Sequence, residues 1–230
     1  MSFWVPRRRP EPELLDDDDV PAGEAEASLA DIEWVHHRLG GRGLVRRRLQ
    51  PFFATLARRE DALEVLDLGC GSGHVGRDVL AAAAEAGARV RVFGLDWKTS
   101  HARLAARGTV VVADAFRLPF GDRSVDIVLS TLFLHHFSPG EAAALLAEAR
   151  RVAASAVIAL DLTRHRLAIA AISVVGPVAF RSRLSVADGK TSARQAYTSD
   201  EIAAIAAPVL PGARVTMASR FVWELVWKRP

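Results

Sequence analysis

Residues 63–76 combine one acidic side chain with closely spaced glycines, and this combination can bind a nucleotide. The segment reads LEVLDLGCGSGHVG: a short apolar strand, then Asp67, then Gly69, Gly71 and Gly73 before an alanine-rich helix. Glycine has no Cβ, so the backbone can turn sharply and a ligand can approach it closely. The helix that follows offers free N–H groups and a partial positive charge at its first turn. The segment therefore predicts a nucleotide-binding turn.

Two kinds of nucleotide cofactor are compatible with the glycines of this turn. Residues 71–76 match the G-x-G-x-x-G pattern of dinucleotide-binding folds, but Asp67 and Gly69 come before it. A carboxylate at the strand end is a poor neighbour for a pyrophosphate, because like charges repel. It is a good neighbour for S-adenosylmethionine (SAM), which carries an ammonium and a sulfonium group. The acidic residue therefore favours SAM over a dinucleotide.

The next three apolar strands strengthen this interpretation. The second ends in Asp96, the third in Asp114, and the fourth ends at Ser130. A carboxylate after the second strand suits the two ribose hydroxyls, which donate hydrogen bonds. One after the third strand can accept a hydrogen bond from the adenine amino group. Together with Asp67 after the first strand, three successive strands thus end in an acid. This pattern is a far more specific signal for the cofactor than the glycines alone.

The order of these residues resembles the class I SAM-dependent methyltransferases over about residues 60–162. The stretch Thr131-Leu-Phe-Leu-His135-His136-Phe137 is similar to the ubiquinone/menaquinone-biosynthesis-type branch, and the whole pattern looks like O-methyltransferases of bacterial polyketide and phenolic-lipid pathways. The resemblance implies SAM as the cofactor and a set of cofactor-binding residues. These are Asp67, Gly69, Cys70, Gly71, Gly73, Asp96, Trp97, Asp114, Ala115 and Ser130.

Two adjacent histidines, His135 and His136, are the candidate catalytic residues. Methyl transfer needs alignment of the acceptor more than covalent help, but a phenol acceptor also needs a base, and histidine has a suitable pKa. His135 is favoured because matching positions in related enzymes point into the active site; a structural role for both histidines stays open. No metal site is predicted, because Leu132 stands where metal-binding relatives with Glu-His place a further acid. His101, His165 and Tyr197 are weaker candidates for the base.

The expected reaction is methylation of a small apolar or aromatic metabolite, most simply O-methylation of a phenol or quinol. C-methylation of a quinone ring is an alternative that the same resemblance allows. An RNA methyltransferase is a third interpretation, although Ser130-Thr-Leu-Phe replaces the Asn/Asp-Pro-Pro-Tyr-type motif of amino-group enzymes. A SAM-binding protein without activity is a fourth, since fold does not fix function.

The composition of the chain limits the classes of protein to which it can belong. The chain has 230 residues, half of them hydrophobic, a net charge of +3 and one cysteine, so a disulfide framework is excluded. Its short arginine runs lack the basic face with interleaved aromatics that nucleic-acid binding requires. The longest apolar run, 167–180, is too short to span a bilayer, and no signal peptide is visible. A cytoplasmic location is expected, and a homodimer is left open.

The pattern of strands and helices predicts an α/β fold. The resemblance implies a Rossmann-like, seven-stranded, mostly parallel sheet with helices on both faces and a terminal hairpin at 214–227. Residues 1–22 are rich in proline, arginine and aspartate, which predicts a mobile tail. Residues 23–60 are expected to form a helical cap from helices at 27–39 and 44–59. Residues 61–230 form the methyltransferase domain, with an apolar substrate lid at 163–190.

Overall fold

The structure is a computed structural model that describes residues 3–56, 62–105 and 109–230. Its centre is a sheet of seven strands. The strands are β1 (Leu63–Leu68), β2 (Val90–Asp96), β3 (Thr109–Val112), β4 (Val125–Thr131), β5 (Ala153–Leu162), β6 (Arg214–Ser219) and β7 (Val222–Lys228).

The strand order is β3-β2-β1-β4-β5-β7-β6. β1 to β5 run parallel to one another, whereas β7 runs antiparallel to both β5 and β6. This topology confirms the predicted mostly parallel sheet, and β6 and β7 form the predicted terminal hairpin. In such a sheet, ligands bind outside the carboxyl ends of the parallel strands.

The described residues also form eight α-helices, which lie on both faces of the sheet. They are α1 (Ala22–Arg38), α2 (Gly41–Leu56), α3 (His74–Glu85), α4 (Thr99–Leu104), α5 (Pro139–Val152), α6 (Arg166–Ala179), α7 (Arg183–Gln195) and α8 (Ser199–Ala206). One buried cluster joins Leu49 of α2 and Val79 of α3 to β1 and β4. A second joins Leu145 of α5 and Ile202 of α8 to the sheet. The two clusters place helices on each side of the strands, as predicted.

Helix starts follow local sequence signals. The side chain of Ser138 accepts from the backbone N–H of Glu141 at the start of α5, and Pro139 occupies the first helical position. The predicted capping box between Thr198 and Glu201 forms at the start of α8. These signals fix where α5 and α8 leave the loops next to the carboxyl edge of the sheet.

The N-terminal residues differ from the predicted mobile tail. Residues 8–17, here called the N-terminal strap, lie across the carboxyl edge of the sheet. The Arg8 guanidinium donates to the carbonyl oxygens of His135 and Phe137, and Lys98 Nζ donates to those of Leu15 and Asp17. The composition predicted mobility because this segment has few apolar residues. In the structure, hydrogen bonds to distant residues hold the segment in place. Residues 1 and 2 lie outside the described residues.

The predicted cap divides into two helices with different partners. α1 contacts α7 beside the strap, whereas α2 packs on α3 and buries Val45 and Phe53 in the core of the sheet. α2 is therefore part of the central fold rather than a cap. The predicted helix end at residue 59 and the predicted domain start at residue 61 lie outside the described residues.

The predicted lid also differs from the structure. α6 carries the apolar run, but it packs on α7 and leaves Val174 75% and Val178 91% exposed. No described residue between 163 and 190 lines the main cavity. The sequence shows that the run is apolar but cannot show which surface it faces. No helix in the described part of the chain has the length and apolarity that a membrane crossing requires.

Candidate active site

A cavity of about 860 Å³ opens at the carboxyl ends of β1 to β4. The loops after these strands form its floor, and the N-terminal strap and α1 form its roof. Its volume lies near the upper end of the usual range for ligand pockets, about 300–1,000 Å³. Eight of the twelve predicted site residues line it. They are Gly69, Cys70, Gly71, Asp96, Trp97, Asp114, Ala115 and His136.

The loop after β1 has the backbone that its glycines predict. Gly69, Gly71 and Gly73 all have positive φ angles, +69°, +50° and +71°. A Cβ on Gly69 would lie 2.5 Å from the Phe133 ring, so a larger residue would clash there as well as strain the backbone. Gly73 precedes the first turn of α3 but is not part of the cavity wall. The loop thus presents bare backbone to the cavity.

Asp96 joins the end of β2 to this loop. Its Oδ2 accepts from the Gly71 N–H at 2.9 Å, and its Oδ1 accepts from the Lys98 N–H at 2.9 Å. Burial alone would raise the pKa of Asp96, but hydrogen bonds from His101, Lys98 and Gly71 hold that pKa below its usual value. The cavity therefore contains an ionised carboxylate beside bare backbone, which fits the ribose hydroxyls of SAM.

Asp67 lies behind the loop rather than in the cavity wall. Its carboxylate is buried, and its Oδ2 has no hydrogen-bond partner among the described residues. Burial and the neighbouring charge of Asp96 raise the pKa of Asp67 to about 8. Burial also raises the pKa of the Cys70 thiol, which makes Cys70 an unreactive part of the wall. Asp67 does not line this cavity, and its contact with the ligand stays a prediction.

The remaining predicted cofactor residues divide in the same way. Trp97 is 56% exposed and presents its ring at the cavity, and Asp114 is exposed beside it. Asp114 Oδ1 accepts from the Phe116 N–H at 2.8 Å, which fixes the turn after β3 and Ala115 within it. Ser130 is buried inside β4, and the next residue, Thr131, lines the cavity in its place.

The two histidines have different surroundings. His135 is 3% exposed and does not line the cavity; its Nδ1 lies 2.7 Å from Asp161 Oδ1. His136 does line the cavity, so the preference for His135 as the residue that faces the acceptor is wrong. Both rings turn their Nε2 atoms toward Glu13, at 3.4 Å from His135 and 3.9 Å from His136. We call Glu13, His135 and His136 the Glu-His-His cluster.

Charge is concentrated in this cluster. Burial opposes ionisation of Glu13, but its contact with His135 and the charge of His136 hold its pKa at about 2. Burial likewise opposes protonation of His135, but the carboxylate of Asp161 raises the pKa of His135 well above its usual value. Without another cation, His135 is therefore protonated at neutral pH and cannot accept a proton there.

The sequence did not indicate the roof of the cavity or the wall after β4. The missed residues come from the strap, α1, α7 and the loop after β4. They include Pro10, Pro12, Glu13, Leu15, Leu29, Ile32, Phe133, Phe137 and Gln195. Single apolar residues in a charged segment carry no periodic signal, so the sequence offered none for the strap.

The three weaker base candidates have other partners. His101 lies in the wall, with its Nδ1 3.6 Å from Asp96 Oδ1. His165 Nδ1 accepts from the Leu167 N–H and caps α6. The Tyr197 hydroxyl donates to the Phe137 carbonyl oxygen at 2.6 Å.

Comparisons with known proteins agree with this geometry. A family model described as a methyltransferase domain matches residues 65–156. The plantazolicin methyltransferase BpumL in complex with SAH has 12% identity and a TM-score of 0.67, covering 94% of this chain and 93% of its own. Magnesium protoporphyrin IX methyltransferase (ChlM) from Synechocystis PCC 6803 with bound SAM has 16% identity and a TM-score of 0.55, covering 94% and 88%.

A SAM-dependent methyltransferase from Aquifex aeolicus is also similar, with 16% identity and a TM-score of 0.54 over 80% of this chain and 88% of its own. A comparison with curated proteins found no match. At these identities the structural likeness shows the fold. This fold and the methyltransferase domain matched at residues 65–156 together support a SAM-dependent methyltransferase activity.

Proposed function

We propose that this enzyme methylates a hydroxyl oxygen of a small apolar or aromatic acceptor, a phenol or quinol of the phenolic-lipid or polyketide type. The bound cofactor supplies an activated methyl group, so the chain itself must bind, orient and help ionise the acceptor. The observation that carries the proposal is the part of the cavity wall that follows β4, where aromatic side chains lie beside His136.

Aromatic rings form this acceptor side of the cavity. The ring of Phe137 meets that of Phe133 edge-to-face at 4.9 Å and that of Phe116 at 5.5 Å between centroids. Pro10 and Pro12 of the strap line the same cavity. A planar ring is well matched to such a wall, because aromatic pairs gain beyond simple burial of area.

His136 is the polar group best placed to act on an acceptor hydroxyl. Its side chain is 23% exposed and lines the cavity, and its ring lies 6.4 Å from that of Phe133. A phenol must lose its proton as its oxygen attacks the methyl group, and a positioned side chain that assists contributes about 10²–10⁴-fold. We therefore assign to His136 the promotion of acceptor ionisation.

The similar structures leave the acceptor open. They include a plantazolicin methyltransferase and the CMeT domain of the citrinin polyketide synthase, the latter at 14% identity and a TM-score of 0.54 over 73% of this chain and 46% of its own. C-methylation of a quinone ring is thus the second candidate, and the same aromatic wall favours it. The cytoplasmic location and the homodimer stay predictions.

Methyl transfer from labelled SAM to alkylated phenols, with the corresponding deoxy compounds as controls, tests the proposal. We expect label in the phenols only, and fragmentation that places it on oxygen. His136→Ala should lower turnover about 10²–10⁴-fold, whereas His165→Ala, which changes a helix cap, should not. Label on ring carbon would favour C-methylation, label in RNA would favour the third interpretation, and no transfer despite SAM binding would indicate an inactive binder.

A further inference from the structure

The Glu-His-His cluster brings three metal-binding side chains to one point. One ligand atom from each of Glu13, His135 and His136 lies within 4.8 Å of the other two. The histidines follow β4, whereas Glu13 lies more than a hundred residues earlier, in the strap. Two imidazoles and one carboxylate are a donor set that divalent first-row transition metals favour.

The separations within the cluster suit ligands around an ion better than a direct hydrogen bond. Nε2 of His135 lies 3.4 Å from Oε1 of Glu13, and Nε2 of His136 lies 3.9 Å from Oε2. An N–H···O hydrogen bond normally spans about 2.7–3.2 Å. Two donors bound about 2.1 Å from one tetrahedral ion lie roughly 3.4 Å apart. The space between these three side chains is therefore large enough for a cation.

Each member of the cluster is held from behind. Nδ1 of His135 lies 2.7 Å from Asp161 Oδ1, and Nδ1 of His136 lies 3.4 Å from Asp16 Oδ2. Carboxylates at Nδ1 keep the proton there and leave Nε2 free to bind a metal, the arrangement found around most metal-bound histidines. Oε1 of Glu13 accepts from Ser192 Oγ at 2.5 Å and from Gln195 Nε2 at 3.0 Å, while Oε2 points toward His136.

The charges also require compensation. Three carboxylates, those of Glu13, Asp16 and Asp161, surround the two imidazoles. Glu13 and Asp161 are almost fully buried, where unpaired charges are costly. A divalent cation between Glu13 and the two Nε2 atoms compensates this charge and satisfies the nitrogen lone pairs.

We propose that Glu13, His135 and His136 bind one divalent transition-metal ion, with Zn²⁺ or Fe²⁺ as the best chemical match. Glu13 and His136 both line the cavity, so the ion has an open face toward the acceptor. An oxygen bound at that face would lose its proton more readily, as metal-bound hydroxyl groups do. This role rests on the proposed function and deepens it, because His136 then acts on the acceptor through the ion.

Titration calorimetry of the chelator-treated full chain with Zn²⁺ tests the site directly. We expect one ion per chain, and Co²⁺ in its place should give the visible absorption of a four- or five-coordinate complex. Glu13→Gln and His136→Ala should each weaken binding more than about 10-fold. His165→Ala is the matched control, because it removes a histidine outside the cluster, and it should bind like the wild type.

Titration of each variant with SAH, read alongside its melting curve, separates loss of the metal site from loss of the fold. Absence of Zn²⁺ and Co²⁺ binding at micromolar concentration by a folded wild-type chain would overturn the proposal. Equal binding by wild type and Glu13→Gln would do so too. If the wild type binds neither metal, the cluster is an ion pair around protonated His135.

Methyl transfer is measured separately, with and without chelator. Metal binding without transfer to any phenol would leave the site standing and contradict the proposed acceptor. Full transfer to a phenol in the presence of chelator, by a chain that binds no metal, would support the proposed acceptor and contradict the metal site. The two proposals can therefore fail independently.

Discussion

Nδ1 of His135 lies 2.7 Å from Oδ1 of Asp161, and both side chains are almost fully buried. Asp161 stands at the carboxyl end of β5, and its Oδ2 also accepts from the His135 backbone N–H at 3.1 Å. The loop after β4 is thus tied to the next strand through two contacts with one carboxylate. This tie orients both histidines toward Glu13 and brings His136 to the cavity wall.

Removal of Asp161 should therefore destabilise the protein strongly. Asp161→Ala leaves a buried imidazole and the backbone N–H groups of His135 and Leu162 without their acceptor. Breaking a buried pair typically costs about 3–5 kcal/mol. Urea denaturation measures this loss. Asp122→Ala is the control, because Asp122 is 78% exposed in its pair with Arg151 and should cost at most about 1 kcal/mol. Similar losses in both variants would contradict the buried role of Asp161.

Two other buried histidines should make stability depend on pH. Burial lowers the pKa of His36 to about 4 and that of His74 to about 3, and their rings lie 5.1 Å apart. Above about pH 6.5 both are neutral in either state. As the pH falls below that value, the unfolded chain takes up protons first, so stability falls until the folded pKa is reached.

The variant His36→Leu isolates this effect from that of Asp67, whose raised pKa acts in the opposite direction. Between pH 7 and pH 5 the wild type should lose about 1–2 kcal/mol more unfolding free energy than the variant does. Chemical denaturation at each pH provides the comparison. Parallel curves for the two proteins would show that His36 is not held neutral.

The exposed face of α6 should not affect the acceptor. Val174→Ser with Val178→Ser changes two exposed side chains, so unfolding free energy should move by at most about 0.5 kcal/mol. The Michaelis constant for a phenol that turns over should not change. Ile32→Ala, in the cavity wall, should raise it about tenfold. The opposite result, a raised constant for the valine variant alone, would restore the lid predicted at 163–190.

Lys98 should control how firmly the strap is closed. Its Nζ donates to the carbonyl oxygens of Leu15 and Asp17 at 3.1 and 2.7 Å, and such charge-assisted bonds are worth about 1.5–3 kcal/mol each. In Lys98→Met, trypsin should cleave after Arg7 and Arg8 at least about tenfold faster. Lys190→Met, on α7, is the control and should be cleaved like the wild type. Equal rates in all three proteins would mean that other contacts hold the strap.

Local patterns predicted the parts of the fold that depend on local signals. An apolar strand ending in an acid located β2, an apolar run located β4, and a capping box at Thr198 located α8. The glycine loop had a clear signal because its backbone requires positive φ at Gly69 and Gly71. These features follow from short-range sterics and hydrogen bonding, which one sequence displays.

The features that sequence missed depend on contacts between distant residues. Glu13 reaches the site through contacts between distant residues; for example, Asp188 accepts from the Leu14 and Leu15 N–H groups across 174 and 173 residues. An apolar run such as α6 looks the same whether it faces substrate or solvent. Which of two adjacent histidines faces a cavity depends on the loop after β4, and composition does not specify that loop.

Binding of SAH to the wild type and to Asp96→Ala is the most direct test of the central claim, that the edge of the sheet holds SAM. Asp96 lies in the cavity wall and is hydrogen-bonded to the glycine loop, so its loss should weaken binding by about 1.5–3 kcal/mol, or roughly 10- to 150-fold. Asp122→Ala should bind SAH like the wild type. Unchanged affinity in Asp96→Ala, or binding of NAD in place of SAH, would contradict the assignment.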